Sequence, residues 1–388
     1  MQLDVSSGSL TTLPILPDSL TELNCSENQL TKLPTLPDSL TKLVCYQNRL
    51  ETLPTLPNSL TELSCGENQL RTLPKNPDSL RKLFCYHNRL ETLPTLPDSL
   101  TELSCGQNQL QTLPKLPDSL TLLVCGKNQL HTLPELPYAL THLYCDENPL
   151  QTLPKLPSAL INLDCSDTQL TILPTLPNSL RKLFCSMNSL QSLSKLPDSL
   201  THLICMENSL HTLPELPDSL TMLHCSHNQL ETLPKLPDSL IQLDCDGNRF
   251  IEPFQSMYTT YLVDMDLEQL KLSVHHYWGE QERRSKIRSI GRNLASLNMA
   301  SKDLGFGTMK NGRNVPENIR LKIGHLLSGK IGPTVSSRGV RRPNGLQGQL
   351  NQLRINHTAY GPWQTKTTAR RARKTRKANK ATFVNPSL

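Results

Sequence analysis

A repeat of twenty residues constrains this chain more than any other feature. All twelve cysteines of the 388-residue sequence recur at that interval, from Cys25 to Cys245. Residues 11–250 form twelve copies of the pattern first seen in residues 11–30, and residues 1–10 supply a half copy. A unit this short cannot bury its own core, so neighbouring units must stack on one another. The sequence therefore predicts a solenoid.

The pattern inside one copy predicts where each side chain points. Leu23 and Cys25 share one face of a strand because strand side chains alternate, which predicts a parallel sheet with one strand per repeat on the concave side. Pro14 and Pro17 favour a polyproline II return segment on the convex side. The other fixed apolar positions of the first copy are Leu13, Leu16, Leu20 and Leu30.

The cysteine column has three interpretations: a disulfide framework, a metal ladder or buried reduced thiols. Side chains in register on parallel strands rarely reach the dihedral angle of a disulfide. No CxxC pair or paired histidines accompany the column, so the spacing typical of a zinc site is absent. We therefore favour small buried thiols. Leucines then form the core, which accounts for an aromatic content of only 4%.

The run LPxLPxSLxxLxCxxNxL, first seen from Leu13 to Leu30, resembles the short leucine-rich repeat of bacterial effectors such as the YopM and IpaH proteins. Similar repeats occur in some large DNA viruses. The resemblance implies a horseshoe that binds a protein partner. Two core positions depart from the pattern, with Asn76 in place of a leucine and Thr168 in place of the repeated asparagine. We expect the solenoid to be locally loosened there.

The same resemblance raises an enzymatic alternative, because IpaH-like proteins add a ubiquitin-ligase domain with a catalytic cysteine. Residues 246–388 contain no cysteine, so a thioester step of that kind would lack its nucleophile. No phosphate-binding loop, GxSxG elbow or HExxH motif is present either. We expect a non-enzyme without cofactor or metal.

Binding residues of such a solenoid are expected among the variable outward positions of its strands. Five aromatic side chains fall there, and exposed aromatic rings commonly anchor protein interfaces. The alternative is that these rings merely cover the sheet as cross-strand neighbours. The predicted partner-binding residues are Tyr46, Phe84, Tyr86, Tyr144 and Phe184.

After the solenoid of residues 1–250, helical spacing predicts a cap over residues 251–303. Residues 304–388 are rich in Gly, Pro, Ser, Asn and Arg, which predicts a basic tail of low order with a short helix near 316–328. The apolar positions expected to face the last repeat are Leu267, Leu270, Val274 and Trp278, followed by Ile287, Ile290, Leu294 and Leu297.

Charge is divided between the two parts of the chain. Residues 1–250 carry a net charge of −10 and residues 251–388 a net charge of +16. A basic cluster of this kind can clamp phosphates or direct a protein to the nucleus, so the alternative function is nucleic-acid binding or nuclear targeting through the tail. A solvated tail, or a tether to the acidic repeats, would explain the charges equally. The densest run is Arg370, Arg371, Arg373, Lys374, Arg376, Lys377 and Lys380.

The sequence shows neither a signal peptide nor an apolar run of the roughly 18 residues that a membrane span requires. Twelve reduced thiols also favour a reducing compartment. We therefore expect an intracellular protein, placed in the cytoplasm of its own cell or of a host cell, or in the nucleus. The partner's identity does not follow from the sequence.

Overall fold

The computed structural model describes residues 1–263 and 266–303, and within them one parallel sheet runs through all the repeats. Thirteen strands of three residues pair in sequence order, which confirms the predicted solenoid with one strand per repeat. The strands are β1 (Gln2–Asp4), β2 (Glu22–Asn24), β3 (Lys42–Val44), β4 (Glu62–Ser64), β5 (Lys82–Phe84), β6 (Glu102–Ser104), β7 (Leu122–Val124), β8 (His142–Tyr144), β9 (Asn162–Asp164), β10 (Lys182–Phe184), β11 (His202–Ile204), β12 (Met222–His224) and β13 (Gln242–Asp244).

Every strand pairs with the next at an offset of twenty residues, as Leu23 pairs with Leu43. In each full repeat the middle leucine of the strand points into the core and the residues on either side point to the opposite face of the sheet. The return segments contain neither helix nor strand, as their prolines predict, and end in a tight turn at which Leu20 N donates to Pro17 O at 3.0 Å.

Columns of leucine and cysteine fill the core along the solenoid. Leu103, Cys105 and Leu110 are all fully buried, and the same positions are buried in nearly every full repeat. All twelve cysteines are unpaired and buried. Burial raises the pKa of Cys105 to about 12 because a thiolate is poorly solvated inside the protein. The column thus contributes apolar packing rather than reactive thiols.

An asparagine ladder joins each repeat to the one before it. The Asn108 amide nitrogen donates to the carbonyl oxygens of Cys105 at 3.0 Å and of Cys85, in the preceding repeat, at 3.1 Å. Its side-chain oxygen accepts a bond from Leu90 N at 3.0 Å. These asparagines therefore bond to their own turn and also bridge consecutive repeats.

The departure at Thr168 alters the ladder without disturbing the sheet. The Thr168 hydroxyl donates to Asn188 Oδ1 at 2.6 Å. An asparagine at this position accepts a hydrogen bond from the leucine N–H of the preceding repeat, as Asn108 does from Leu90 N, but Thr168 accepts none from Leu150 N. Leu150 N bonds instead to Asn148 O at 2.8 Å. Strands β8 and β9 remain paired in register. The expected loosening is therefore limited to hydrogen bonds of one turn.

Two helices follow the last repeat, α1 (Phe254–Val263) and α2 (Leu267–Asp303). Leu270 and Val274 are buried against the repeats, with Trp278 partly buried beside them, so this face of α2 caps the solenoid as predicted. Residues Met1–Leu297 form one compact unit.

The first turns of α2 provide hydrogen-bond donors that the last repeat would otherwise lack. Within the solenoid, a serine of the following repeat bonds the turn carbonyl, as Ser99 Oγ does to Asp78 O at 2.7 Å. No repeat follows Asp238, and buried Lys271 donates to its carbonyl oxygen at 3.0 Å. Trp278 Nε1 likewise donates to Leu233 O at 2.8 Å. The cap thus satisfies backbone groups as well as covering leucines.

The second predicted apolar stripe begins at Ile287 on α2. Ile287 is half-exposed, and the side chains of Ile290, Leu294 and Leu297 lie outside the described residues. Both sets of apolar positions belong to α2, one continuous helix from 267 to 303. The expectations for residues 304–388, including the helix near 316–328, also lie outside the described residues.

Asn76 provides a test of the leucine core. Its side chain is 3% exposed; Nδ2 donates to Thr95 O at 3.0 Å, whereas Oδ1 is buried without a partner. An unsatisfied buried oxygen costs about 1–3 kcal/mol. We expect Asn76→Leu to raise the free energy of unfolding by about 1–2 kcal/mol in urea denaturation at pH 7, since it restores packing and removes the unpaired oxygen.

The matched control is Leu116→Asn, at the equivalent position two repeats later, where the leucine is 3% exposed. We expect this change to lower stability by about 2 kcal/mol or more. An Asn76→Leu variant no more stable than the parent protein would contradict the interpretation of Asn76 as a defect in the core.

Candidate functional site

The candidate site lies on the solvent side of the sheet, which we call the sheet face. Three rows of side chains form it, defined by their positions in the second strand and its extension. The first row contains Glu22 and the residues at the same position in the other repeats. The second row contains Asn24 and its equivalents, and the third row contains Ser26 and its equivalents. Because the strands are in register, each row places side chains of neighbouring repeats about 4.8 Å apart at the backbone.

All five predicted aromatic residues lie in the second and third rows. Phe84, Tyr144 and Phe184 end strands β5, β8 and β10, while Tyr46 and Tyr86 follow β3 and β5 by two residues. Each of the five is half-buried, whereas sequence analysis expected them to stand exposed. The third-row tyrosines lose exposure because they lean on the preceding repeat. Their role in binding remains a prediction.

Glycine and serine in the third row make room for this leaning. A Cβ added at Gly66 would meet Tyr86 Cε1 at 2.8 Å, so the Tyr86 ring occupies space that any side chain at 66 would fill. Burial, followed by the nearby Glu67 carboxylate, raises the pKa of Tyr86. Tyr46 reaches the same way, and its hydroxyl donates to Glu27 Oε1 at 3.0 Å.

The structure divides the aromatic residues into two clusters. Phe84 and Tyr86 project from one repeat, and Tyr46 lies two repeats earlier on the side towards which Tyr86 leans. We call Tyr46, Phe84 and Tyr86 the first aromatic cluster. The second aromatic cluster consists of Tyr144 and Phe184 with two aspartates, Asp146 and Asp164. Tyr144 and Phe184 are the immediate second-row neighbours of Asp164.

Sequence analysis missed the two aspartates of the second cluster as site residues. Asp146 leans over Gly126, where an added Cβ would lie 2.4 Å from Asp146 Oδ1. Burial, followed by repulsion from Asp164, raises the pKa of Asp146 to about 6. Burial also raises the pKa of Asp164, opposed by its hydrogen bond from Ser166 N at 3.0 Å. The available sequence signal was a glycine twenty residues before an aspartate.

Opposite charges form two ion pairs in the first row of the sheet face. Lys42 contacts Glu62 at 2.9 Å and Lys82 contacts Glu102 at 2.8 Å, both in the first row. Exposed pairs of this kind contribute about 0–1 kcal/mol each to stability. Among the described residues Lys182 makes no ion pair, and the two aspartates of the second cluster have no cationic side chain within salt-bridge distance.

The histidines and carboxylates of the described residues do not form a metal site. Across 1–263 and 266–303, no three His, Cys, Asp or Glu side chains converge to hold a metal ion. His275, near Trp278, bonds through Nε2 to Leu236 O at 2.7 Å and thus serves the cap. Neither helix described here is long and apolar enough to cross a membrane.

Asp146 predicts a dependence of stability on pH. Its folded-state pKa of about 6 lies above the ordinary 3.8, so the folded state holds this proton more tightly than the unfolded state does. Ionised Asp146 therefore destabilises the protein increasingly as pH rises from about 4 to 6. We expect Asp146→Asn to be more stable than the parent protein by about 1 kcal/mol at pH 8, after allowance for solvent screening.

The difference should shrink below pH 6 and approach zero near pH 4, because Asp146 is then protonated and uncharged in the parent protein. Urea unfolding of both proteins at pH 8 and at pH 4.5 measures it. A difference in unfolding free energy that does not change with pH would show that Asp146 is not electrostatically strained.

Comparison with known proteins places the chain among leucine-rich-repeat structures. No protein-family profile matches it. A search of curated proteins likewise finds no match. Among solved structures, YopM from Yersinia enterocolitica is similar at 36% identity and a TM-score of 0.53, over 65% of this chain and 65% of that one. The chain thus spans slightly less than two thirds of that relative.

Two further structures extend the comparison. YopM from Yersinia pestis, described as a leucine-rich effector protein, matches at 36% identity and a TM-score of 0.54, over 64% of this chain and 84% of that one. The leucine-rich-repeat protein FLRT2, in an octameric complex with Latrophilin 3 and Unc5D, matches at 21% identity and a TM-score of 0.51, over 61% and 87%. The second likeness shows the fold alone. Repeat length, fold and identity to YopM agree, and the chain belongs to the leucine-rich-repeat family with short repeats of the YopM type.

Proposed function

We propose that this protein is a non-catalytic interaction module that binds a protein partner on its sheet face. The coarse function, protein interaction, agrees with the leucine-rich-repeat fold and with its occurrence in protein complexes such as that of FLRT2. The place of binding and the kind of partner are our inference from the side chains of the sheet face.

The observation that carries the proposal is the placement of aromatic rings. Five of the fourteen Phe and Tyr residues of the chain lie in two rows of one surface, half-buried. The core beneath them is complete without aromatic side chains, since leucine and cysteine columns fill it. Rings that the core does not require, and that remain accessible, are suited to anchor a partner.

The likeness to YopM supports a more specific role. The Yersinia pestis protein is described as a leucine-rich effector protein. By analogy we infer that this chain is a host-directed effector, acting inside a host cell by holding a host protein. Twelve buried thiols without disulfides support action in a reducing compartment.

Two features support the absence of catalysis. Every cysteine of the chain lies in the buried column, where burial raises the thiol pKa, so a nucleophilic thiolate is not provided near neutral pH. On the sheet face, Lys42 and Lys82 are paired with Glu62 and Glu102 across strands, so these four charged groups are engaged in contacts rather than in proton transfer.

The first aromatic cluster allows a direct test. We expect Phe84→Ala combined with Tyr86→Ala to reduce partner capture at least ten-fold in a pull-down from host-cell lysate, because hot-spot aromatic residues each contribute about 2 kcal/mol or more. The captured proteins are identified and quantified by mass spectrometry, with the full chain as bait.

Tyr138→Ala is the matched control, because Tyr138 is an aromatic residue 73% exposed at the turn of the return segment, away from the sheet face. Its loss should leave the captured proteins unchanged. If the double variant captures the same proteins at the same level as the parent chain, binding on the first aromatic cluster is ruled out.

The charge split favours a second candidate function. Residues 251–388 carry a net charge of +16, with a dense basic run from Arg370 to Lys380. We infer that this run, which lies outside the described residues, contacts nucleic-acid phosphates or directs the protein to the nucleus. The repeats would then act as the scaffold that carries it.

Deletion of residues 365–388 tests the second candidate. We expect the deletion to abolish nuclear accumulation in transfected cells or retention on an RNA or DNA column. If the parent protein makes many phosphate contacts, its affinity for the column should fall about 10³-fold or more between 50 and 200 mM salt. Replacing the basic residues of the run with glutamine in the full-length chain distinguishes charge from length. Unchanged localisation together with unchanged retention would refute the candidate.

A further inference from the structure

We propose that the second aromatic cluster is a cation-binding site that takes an arginine side chain of the protein partner. The site consists of Asp164 and its two row neighbours, Tyr144 and Phe184, and Asp146 in the third row adds negative charge to its surroundings. The proposal rests on the function proposed above and specifies its partner: a segment that presents arginine to the sheet face.

Strand register builds the site. Asp164 pairs with Tyr144 on one side and with Phe184 on the other, so three neighbouring strands place ring, carboxylate and ring in one row. Adjacent second-row positions are about 4.8 Å apart. A cation bound at the carboxylate would therefore have an aromatic neighbour on each side, and aromatic faces attract cations within roughly 6 Å of the ring centroid. Asn162 Nδ2 lies 3.4 Å from the Tyr144 hydroxyl and helps to orient that ring.

Within residues 1–263 and 266–303 no salt bridge neutralises the carboxylates of the site, although the charge of Lys127 acts weakly on Asp146. Lys127 is engaged with Glu147 at 3.0 Å, and neither aspartate forms a salt bridge among the described residues. Asp146 is held over Gly126, on the side away from Asp164, but repulsion from Asp164 still raises the pKa of Asp146. A bound cation would relieve that repulsion. The uncompensated charge and the flanking rings together indicate a cationic ligand.

Other charged or polar groups around Asp164 define which cation fits. His142 stacks on Tyr144 with ring centroids 6.5 Å apart, and Lys182 precedes Phe184 on β10. A guanidinium group is planar, is weakly hydrated and can bond a carboxylate while stacking on aromatic faces, which an ammonium group does less well. Phosphates of a nucleic acid would be repelled by the two carboxylates. Arginine is therefore the favoured occupant.

The sheet face contains a matched position without these features. Asp244 ends β13 in the same second row, but its one paired neighbour among the described strands is His224 on β12, so no Phe or Tyr lies beside it in that row. A carboxylate alone would make the two aspartates equivalent. The proposal instead requires that Asp164 and Asp244 differ.

The test measures binding of short peptides to the full-length protein by ligand-observed NMR at low salt. The probes are acetyl-Gly-Ser-Arg-Ser-Gly-amide and versions with lysine or with citrulline, the neutral isostere of arginine, in place of arginine. We expect the arginine peptide to bind most tightly and the citrulline peptide about ten-fold more weakly, since citrulline lacks the charge.

Four variants locate the site. Asp164→Asn and Phe184→Ala should each weaken binding of the arginine peptide, the former about ten-fold. Lys182→Gln should strengthen binding about two- to three-fold by removing a nearby positive charge, and this gain does not depend on a destabilising change. Asp244→Asn should leave binding unchanged. Circular dichroism melts verify that each variant is folded.

Equal binding of the arginine and citrulline peptides would overturn the proposal, as would an Asp244→Asn effect equal to that of Asp164→Asn or weaker binding by Lys182→Gln. Failure here is distinguishable from failure of the proposed function. A pull-down that responds to Phe84→Ala with Tyr86→Ala, without discrimination between the peptides, would retain partner binding on the sheet face and refute only the arginine site.

Discussion

Stacking of repeats in register is the constraint on which the rest of this structure depends. One asparagine per repeat bonds a carbonyl in its own repeat and another in the preceding repeat, as Asn108 does with Cys105 and Cys85. These bonds are buried, where a lost partner is costly. The leucine columns supply the apolar burial, and the asparagine ladder keeps successive strands in register. Every residue of the sheet face inherits its neighbours from that alignment.

Contacts restricted to adjacent repeats explain why the solenoid tolerates defects. Thr168 interrupts the ladder and Asn76 interrupts a leucine column, yet the sheet continues through both without a change of register. Each defect is confined because a repeat interacts only with the units beside it. At the last repeat, the same dependence on a neighbour is met by α2, whose Lys271 and Trp278 bond the carbonyl oxygens of Asp238 and Leu233.

Within the repeats the core is built of leucine and cysteine, and phenylalanine is buried only near the cap, at Phe250 and Phe254, so the sheet face is free to vary. Leucine and cysteine occupy the inward positions in almost every repeat, while the outward rows range from glycine to phenylalanine and from aspartate to lysine. The fold stays the same across this variation, because none of these side chains belongs to the leucine and cysteine columns. Glycine in the third row has a structural consequence as well, because it lets Tyr86 and Asp146 lean over Gly66 and Gly126.

The sequence by itself determined the repeat, the single parallel sheet, the buried cysteine column and the helical cap, because each depends on periodicity that can be read locally. It also assigned the five aromatic residues to their rows. Only the tertiary structure decided how the rows combine: Asp164 gains two aromatic neighbours from strands twenty residues away on each side, and Asp146 becomes desolvated by leaning across a glycine. Those properties arise from contacts between repeats, because the direction and burial of the Asp146 side chain determine its pKa. No pattern within one repeat specifies them.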